Sequence, residues 1–174
     1  TQRGLARIVA ELLTNKADTV LVPVQPLPVA IGLVTGNNQS GTVAAALSLP
    51  LTVQNKAADS IGVSGIYARF VITTGGGTLA VDSALTDATG TAGVTWTLGT
   101  TAGAQQVEVS TARLPSVTVS FDATGTPGPA SPATSLVTVS SSSVTAGGTA
   151  TITLQAKDGY GNSLTSGGST VVFS

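Results

Sequence analysis

The carboxylates of this 174-residue chain, the groups first to be weighed for general acid–base work or for holding a hard metal ion, are Glu11, Asp18, Asp59, Asp82, Asp87, Glu108, Asp122 and Asp158. Two carboxylates held several ångströms apart around a sugar hydrolyse a glycosidic bond, but nothing in the spacing of these eight builds such a pair. Asp87 stands in Thr86-Asp-Ala-Thr-Gly90, where an Asp accepts backbone amides and closes a turn. Calcium takes roughly six to eight oxygen ligands. Asp82 with Asp87, or Asp158 with Asn162, supply a few each, and there is no Asp-x-Asp-x-Asp loop. No metal site and no cofactor are expected.

The chain has no His, Cys or Met, which removes imidazole and thiol chemistry. Gly75-Gly-Gly77 precedes a strand pattern rather than a helix, so it reads as a turn and not as a phosphate cradle. Tyr67, Trp96 and Tyr160 are too few and too separated to form a base-stacking platform. Seven scattered Lys and Arg make no basic patch, so no nucleic-acid partner is expected. The catalytic residues are read as none, and the chain as a non-enzyme.

The elements that position these groups follow from composition and pattern. Only 9% of residues are charged while 41% are hydrophobic, so Thr, Ser, Asn, Gln and Gly must wet the surface. Mean hydropathy is positive. Even so, no apolar run reaches the ~20 residues of a spanning helix, and no membrane span is expected in this chain. Thr1 in place of Met predicts a processed or trimmed N-terminus. The Thr-, Ser-, Gly- and Val-rich composition points to an exported or virion protein.

In residues 3–15 the apolar positions Leu5, Ile8, Val9, Leu12 and Leu13 fall at i, i+3, i+4, i+7 and i+8. That spacing predicts a short amphipathic helix. Alone in water such a helix is marginal, so its stripe is expected to dock on a protein partner or a second copy. Pro23, Pro26 and Pro28 then predict an extended edge segment or stiff arm.

From there on, short period-two runs separated by Gly, Asn, Asp and Ser predict strands at 29–35, 42–47, 50–56, 65–73, 78–82, 92–98, 104–111 and 115–122. Regular short strands with turns between them predict an all-β sandwich. Alternation sends Val94, Trp96 and Leu98 to one face. Val53, Phe70, Val94, Trp96 and Val107 are the expected core.

Residues 123–134 are rich in Pro, Gly, Ser and Thr and read as a linker. Beyond them the pattern restarts. Leu51-Thr-Val-Gln54 recurs as Ile152-Thr-Leu-Gln155, Lys56 as Lys157, and a turn with Asp59 as one with Asp158 and Asn162. Phe70 is matched by Phe173. A repeat of about 100 residues is one immunoglobulin-like sandwich.

Several motifs carry a specific resemblance. They are Ser40-Gly-Thr-Val43, Val71-Ile-Thr-Thr-Gly-Gly-Gly-Thr-Leu79, Thr86-Asp-Ala-Thr-Gly-Thr-Ala-Gly-Val-Thr-Trp-Thr-Leu-Gly99, Thr101-Ala-Gly-Ala-Gln-Gln-Val107 and Val117-Thr-Val-Ser-Phe121. The chain resembles the bacterial immunoglobulin-like domains found in tandem in invasin- and intimin-type adhesins and related surface or phage proteins. Ser140–Gly148 and Lys157-Asp-Gly-Tyr-Gly-Asn162 resemble the same family. Its compact Asp-x-x-Gly-Asn turn after the second strand is absent at residues 57–63, which read as irregular.

The expected organisation is therefore an N-terminal helix and Pro-rich arm (1–27), an immunoglobulin-like antiparallel sandwich (28–124), a linker (125–132) and a partial second module (133–174). About four strands are missing from that last module, which reads as part of a longer protein with further modules in tandem. The resemblance implies a structural or display module, a stiff spacer or decoration on a bacterial surface or phage virion. The alternatives are an adhesin binding a receptor or glycan, and an accessory domain of a secreted polysaccharide-degrading enzyme.

Overall fold

A computed structural model describes residues 4–11, 17–24, 26–167 and 170–172. In chain order the strands are β1 (Gly4–Glu11), β2 (Ala17–Val24), β3 (Ala30–Thr35), β4 (Gln39–Thr42), β5 (Leu51–Lys56), β6 (Tyr67–Thr74) and β7 (Gly77–Leu79). They continue with β8 (Ser83–Leu85), β9 (Thr91–Val94), β10 (Trp96–Leu98), β11 (Gly103–Thr111), β12 (Leu114–Thr126), β13 (Leu136–Val139) and β14 (Ile152–Gln155). No helix occurs among the described residues.

Two facing sheets make the sandwich. One has the order β4-β12-β11-β6-β8, and the other β3-β5-β9, with β10 paired to β7 beside it. All pairs are antiparallel except β12 with β4, which runs parallel from Ala123↔Gln39 to Thr126↔Thr42. This parallel edge departs from the purely antiparallel expectation. It arises because the chain crosses from β3 to the opposite sheet before turning into β5.

Alternation drives the packing. Along β11, Gln105, Val107, Val109 and Thr111 are buried, while Gln106, Glu108 and Ser110 are half-buried on the outer side. Leu51, Val53 and Val94 from the β3-β5-β9 sheet, with Trp96 and Leu98 from β10, share one core cluster with Phe70, Val107, Val109 and Phe121 from the other sheet. Val53, Phe70, Val94, Trp96 and Val107 are each no more than 4% exposed.

The expected N-terminal helix is absent. Residues 4–11 are β1, paired antiparallel with β2 from Gly4↔Val24 to Glu11↔Ala17. The helical spacing of Leu5, Ile8 and Val9 lost to a nearby pairing partner, Val20-Leu-Val22, whose alternation and β-branching suit a ladder. In a strand the expected stripe divides: Leu5 and Val9 face one way and Ile8 the other. Leu12 and Leu13 lie outside the described residues. Pro23 sits opposite Leu5 in this ribbon, so it belongs to a strand and not to an arm.

Smaller corrections have local causes. The strand expected at 42–47 is instead β4, ending at Thr42. Ala44 then adopts φ 61° and the amide of Ala45 returns to the Thr42 carbonyl, a turn that apolar Val43–Leu47 concealed. The run 92–98 divides at Thr95 into β9 and β10. β8 was hidden because Ser83-Ala-Leu85 has no alternation to read. β12 continues to Thr126, into the segment expected to be linker.

The segment after β12 repeats the beginning of the sandwich in backbone geometry. β13 pairs with β14 as β3 pairs with β5, and the bridge Lys157↔Ser163 matches Lys56↔Gly62. The loop at 57–63 is not irregular. Ala57 N donates to Ile61 O (3.0 Å) and Ser60 N to Ala57 O (2.9 Å). Asp158 N donates to Asn162 O and Gly161 N to Asp158 O, both at 2.9 Å. Ser60 (φ 64°) takes the left-handed conformation that Gly161 (φ 87°) takes in the repeat. Asp59 accepts the Ile61 amide at 3.0 Å, standing in for the missing first Asp.

Candidate inter-module joint

Among the described acidic side chains, Asp158 is the buried one. The turn that β14 leads into places its carboxylate in the interior, 0% exposed. Oδ1 accepts the amides of Tyr160 (3.0 Å) and Asn162 (2.9 Å). Oδ2 accepts the Gly128 amide (2.9 Å) and the Asn162 side-chain amide (2.8 Å). A carboxylate offers about four lone-pair sites, and all are spent on neutral N–H donors. Burial works to raise the Asp158 pKa. The bonds from the Asn162 side chain and from the Gly128, Asn162 and Tyr160 amides outweigh it and hold the carboxyl at about 2.

Asn162 extends this knot across the chain. Its Nδ2 donates to the Thr100 carbonyl at 2.8 Å and its Oδ1 accepts the Ala102 amide at 2.9 Å. The gripped loop joins β10 to β11. It is braced from inside by Gln105, which is buried. Gln105 Oε1 accepts the Gly99 amide (2.8 Å) and Nε2 donates to Thr101 O (2.9 Å). Gly75, at φ 81°, lies so close to Gln105 that a Cβ there would come within 2.3 Å of its Cγ. The first of the three glycines is thus needed for close approach.

A continuous polar path therefore runs from the sandwich interior (Gln105) through Gly99–Ala102 to Asn162, Asp158 and Gly128. Thr134 adds a bond from Oγ1 to Asp158 O at 2.6 Å. Chemically this arrangement has no free nucleophile or base. It fixes the segment after β12 against the sandwich.

The other candidates fall elsewhere. Asp87 Oδ1 accepts the amides of Thr89 (2.8 Å) and Thr91 (2.9 Å) and the Thr89 hydroxyl (2.6 Å). The Thr89 hydroxyl, then the Thr91 amide, lower its pKa. Asp82 accepts the Ser83 hydroxyl and does not join Asp87. Among the described residues no three carboxylates gather. Trp96 is sealed in the core, and Tyr67 and Tyr160 lie exposed on separate parts of the chain. The expected docking residues Leu5, Ile8 and Val9 are 63%, 58% and 38% exposed.

Known structures share this fold. FdeC, an Escherichia coli adhesin, matches over 94% of this chain and 53% of its own, with 21% identity and a TM-score of 0.57. Invasin, a bacterial integrin-binding protein, matches over 94% of this chain and 34% of its own, again with 21% identity and a TM-score of 0.57. The fold is that of bacterial immunoglobulin-like adhesin domains. The chain spans about half the length of the FdeC chain and a third of the invasin chain. No protein-family model matches the sequence, and no curated protein matches it. In this immunoglobulin-like frame the sequence pointed to Asp158 and Asn162 through the repeat. Their partners Thr100, Ala102, Gln105 and Gly128 went unnoticed, because backbone acceptors and a core Gln leave no periodic signal.

Proposed function

We propose that the chain is a non-enzymatic structural segment of a bacterial surface protein, in which successive immunoglobulin-like units are held at a fixed angle to extend a distal part from the cell. The observation that supports this is the Asp158–Asn162 knot. Freely jointed units need no such contact, and interfaces between domains of one chain permit relative motion unless they are specifically tied. Here Asn162, held by Asp158, ties its turn to a loop some 60 residues earlier in sequence. The likeness to FdeC and invasin supports the surface setting. The Thr- and Ser-rich exterior, poor in charge, suits a spacer that does not adhere along its length.

The test uses the absence of cysteine. Spin labels on Ala88→Cys in the sandwich and Ser142→Cys beyond the joint give a distance distribution. A narrow distribution that broadens with Asn162→Ala supports the spacer. A broad distribution in the unaltered joint, or no change with Asn162→Ala, refutes it. An adhesin would instead show saturable binding of the isolated chain to cells or glycans through the sandwich loops.

A further inference from the structure

We infer that the β1–β2 ribbon is the closing hairpin of an immunoglobulin-like sandwich, and that its Ile8/Val20 face docks on the apolar inner face of a three-stranded sheet of the β3-β5-β9 kind. The sheet it fits belongs to a sandwich that lacks its own last two strands.

The argument is a register identity. β1 pairs with β2 through eight successive residues, Gly4↔Val24 to Glu11↔Ala17. The regular part of the β11–β12 ladder also has eight pairs, Gly103↔Gly125 to Ser110↔Thr118, before its register shifts. Moving β1 by 99 positions and β2 by 101 lays one ladder on the other, pair for pair (4+99=103, 24+101=125; 11+99=110, 17+101=118). The same 101 carries Pro26 onto Pro127, Pro28 onto Pro129 and Lys56 onto Lys157. The ribbon therefore enters the sandwich as β12 enters the segment beyond it. The prolines and the lysine that follow the ribbon thus keep the spacing seen after β12, while Ala57 and Ile61 hold the places of Asp158 and Asn162.

The superposition says what covers each face. Ile8↔Val20 falls on Val107↔Phe121, both 0% exposed in one core cluster with Leu51, Val53 and Trp96, and on the same face Ala10↔Asp18 falls on Val109↔Val119, of which Val119 is only partly buried. Ile8 and Val20 are 58% and 57% exposed. Leu5 and Val9 fall on Ala104 and Glu108, which belong to the outer face. An isolated two-stranded hairpin is at best marginally stable in water, and two β-branched residues side by side on one face are what a covering sheet would bury.

The test supplies the missing sheet from this chain. Residues 26–102 are fused ahead of Gly4 of the full chain, so that β1–β2 follow the copied sheet where β11–β12 normally would. The fusion is expected to gain a second cooperative unfolding transition. A thiol reagent should label Ile8→Cys in it at least tenfold more slowly than Val9→Cys, whereas the unfused chain labels both quickly. Ile8→Asp should abolish the added transition and Val9→Asp should keep it. A second fusion carries Ala6→Gln, restoring at the Gln105-equivalent position the side chain that braces the preceding loop. Equal labelling, protection of Val9→Cys instead, or no added transition in either fusion would overturn the inference.

Discussion

Asn37 and Asp122 are locked to each other across 85 residues of sequence: the Asp122 amide donates to Asn37 Oδ1 at 2.8 Å. The carbonyl of Asp122 in turn accepts the Asn38 amide at 2.8 Å. This contact opens the parallel β4–β12 ladder, which closes with Val43 N to Thr126 O at 2.9 Å and Thr126 Oγ1 to Gly41 O at 3.0 Å. Tension applied through the ends of the sandwich would enter near β3 and leave from the end of β12. It would load this ladder along the strands, so its bonds must fail together. Asn37→Ala should cost about 1 kcal/mol, one net hydrogen bond, measured as a lower urea midpoint. It should also lower the unfolding force when the chain is pulled from its ends. An unchanged force would place the mechanical resistance elsewhere.

Trp96 fills the space between the sheets with no exposure. Trp96→Ala should destabilise the sandwich by roughly 3–5 kcal/mol, read by chemical denaturation. A midpoint unchanged from the parent would contradict its place in the core.

Gly90 closes the turn after Asp87 at φ 78°, where a Cβ would lie 2.5 Å from the Val63 amide and 2.6 Å from the Asn55 carbonyl. Gly90→Ala should lose more than the ~1–2 kcal/mol that a left-handed residue alone costs, because backbone on two sides must also shift. Thermal unfolding of the pair measures it.

Acid should release the joint before it unfolds the sandwich. The Asp158 carboxyl sits at about 2 in the folded chain and would titrate near 3.9 when unfolded. A depressed carboxyl contributes stability that is fully present above the unfolded value and is lost as pH falls through the folded one. The Ala88→Cys/Ser142→Cys distance distribution should therefore stay narrow down to pH about 4 and broaden toward pH 2. With Asp158→Asn that pH dependence should vanish. A distribution equally narrow at pH 2 would count against the carboxylate as the clasp.

Much of the sandwich was legible because its signal is period two. Val94, Trp96 and Leu98 declare a face by alternation alone, and so do Val107 and Val109. The N-terminal strand was not legible, since Leu5, Ile8 and Val9 satisfy a helical template and their strand partner lies further along the chain. Periodicity is a local quantity, whereas pairing is not. The turn at Ala57–Ile61 misled for the opposite reason: its backbone is conventional but its residues are not, with Ser60 where glycine is usual and Asp59 doing the work of an Asp two places earlier. The joint was half legible. Asp158 and Asn162 stand out as a repeated turn, but the carbonyl of Thr100 and the amide of Ala102 are features every residue possesses.

The four donors around Asp158 are neutral N–H groups, and the bonds from Asn162 to the sandwich are amide to backbone. Ion pairs exposed to solvent weaken as the Debye length shrinks from about 10 Å at 0.1 M salt to about 3 Å at 1 M. A clasp of this kind offers salt nothing of that sort to screen. The angle it sets should be the same in fresh water, in serum and in brine, so a surface filament built this way would keep its reach through changes of salinity and surrender it only to strong acid.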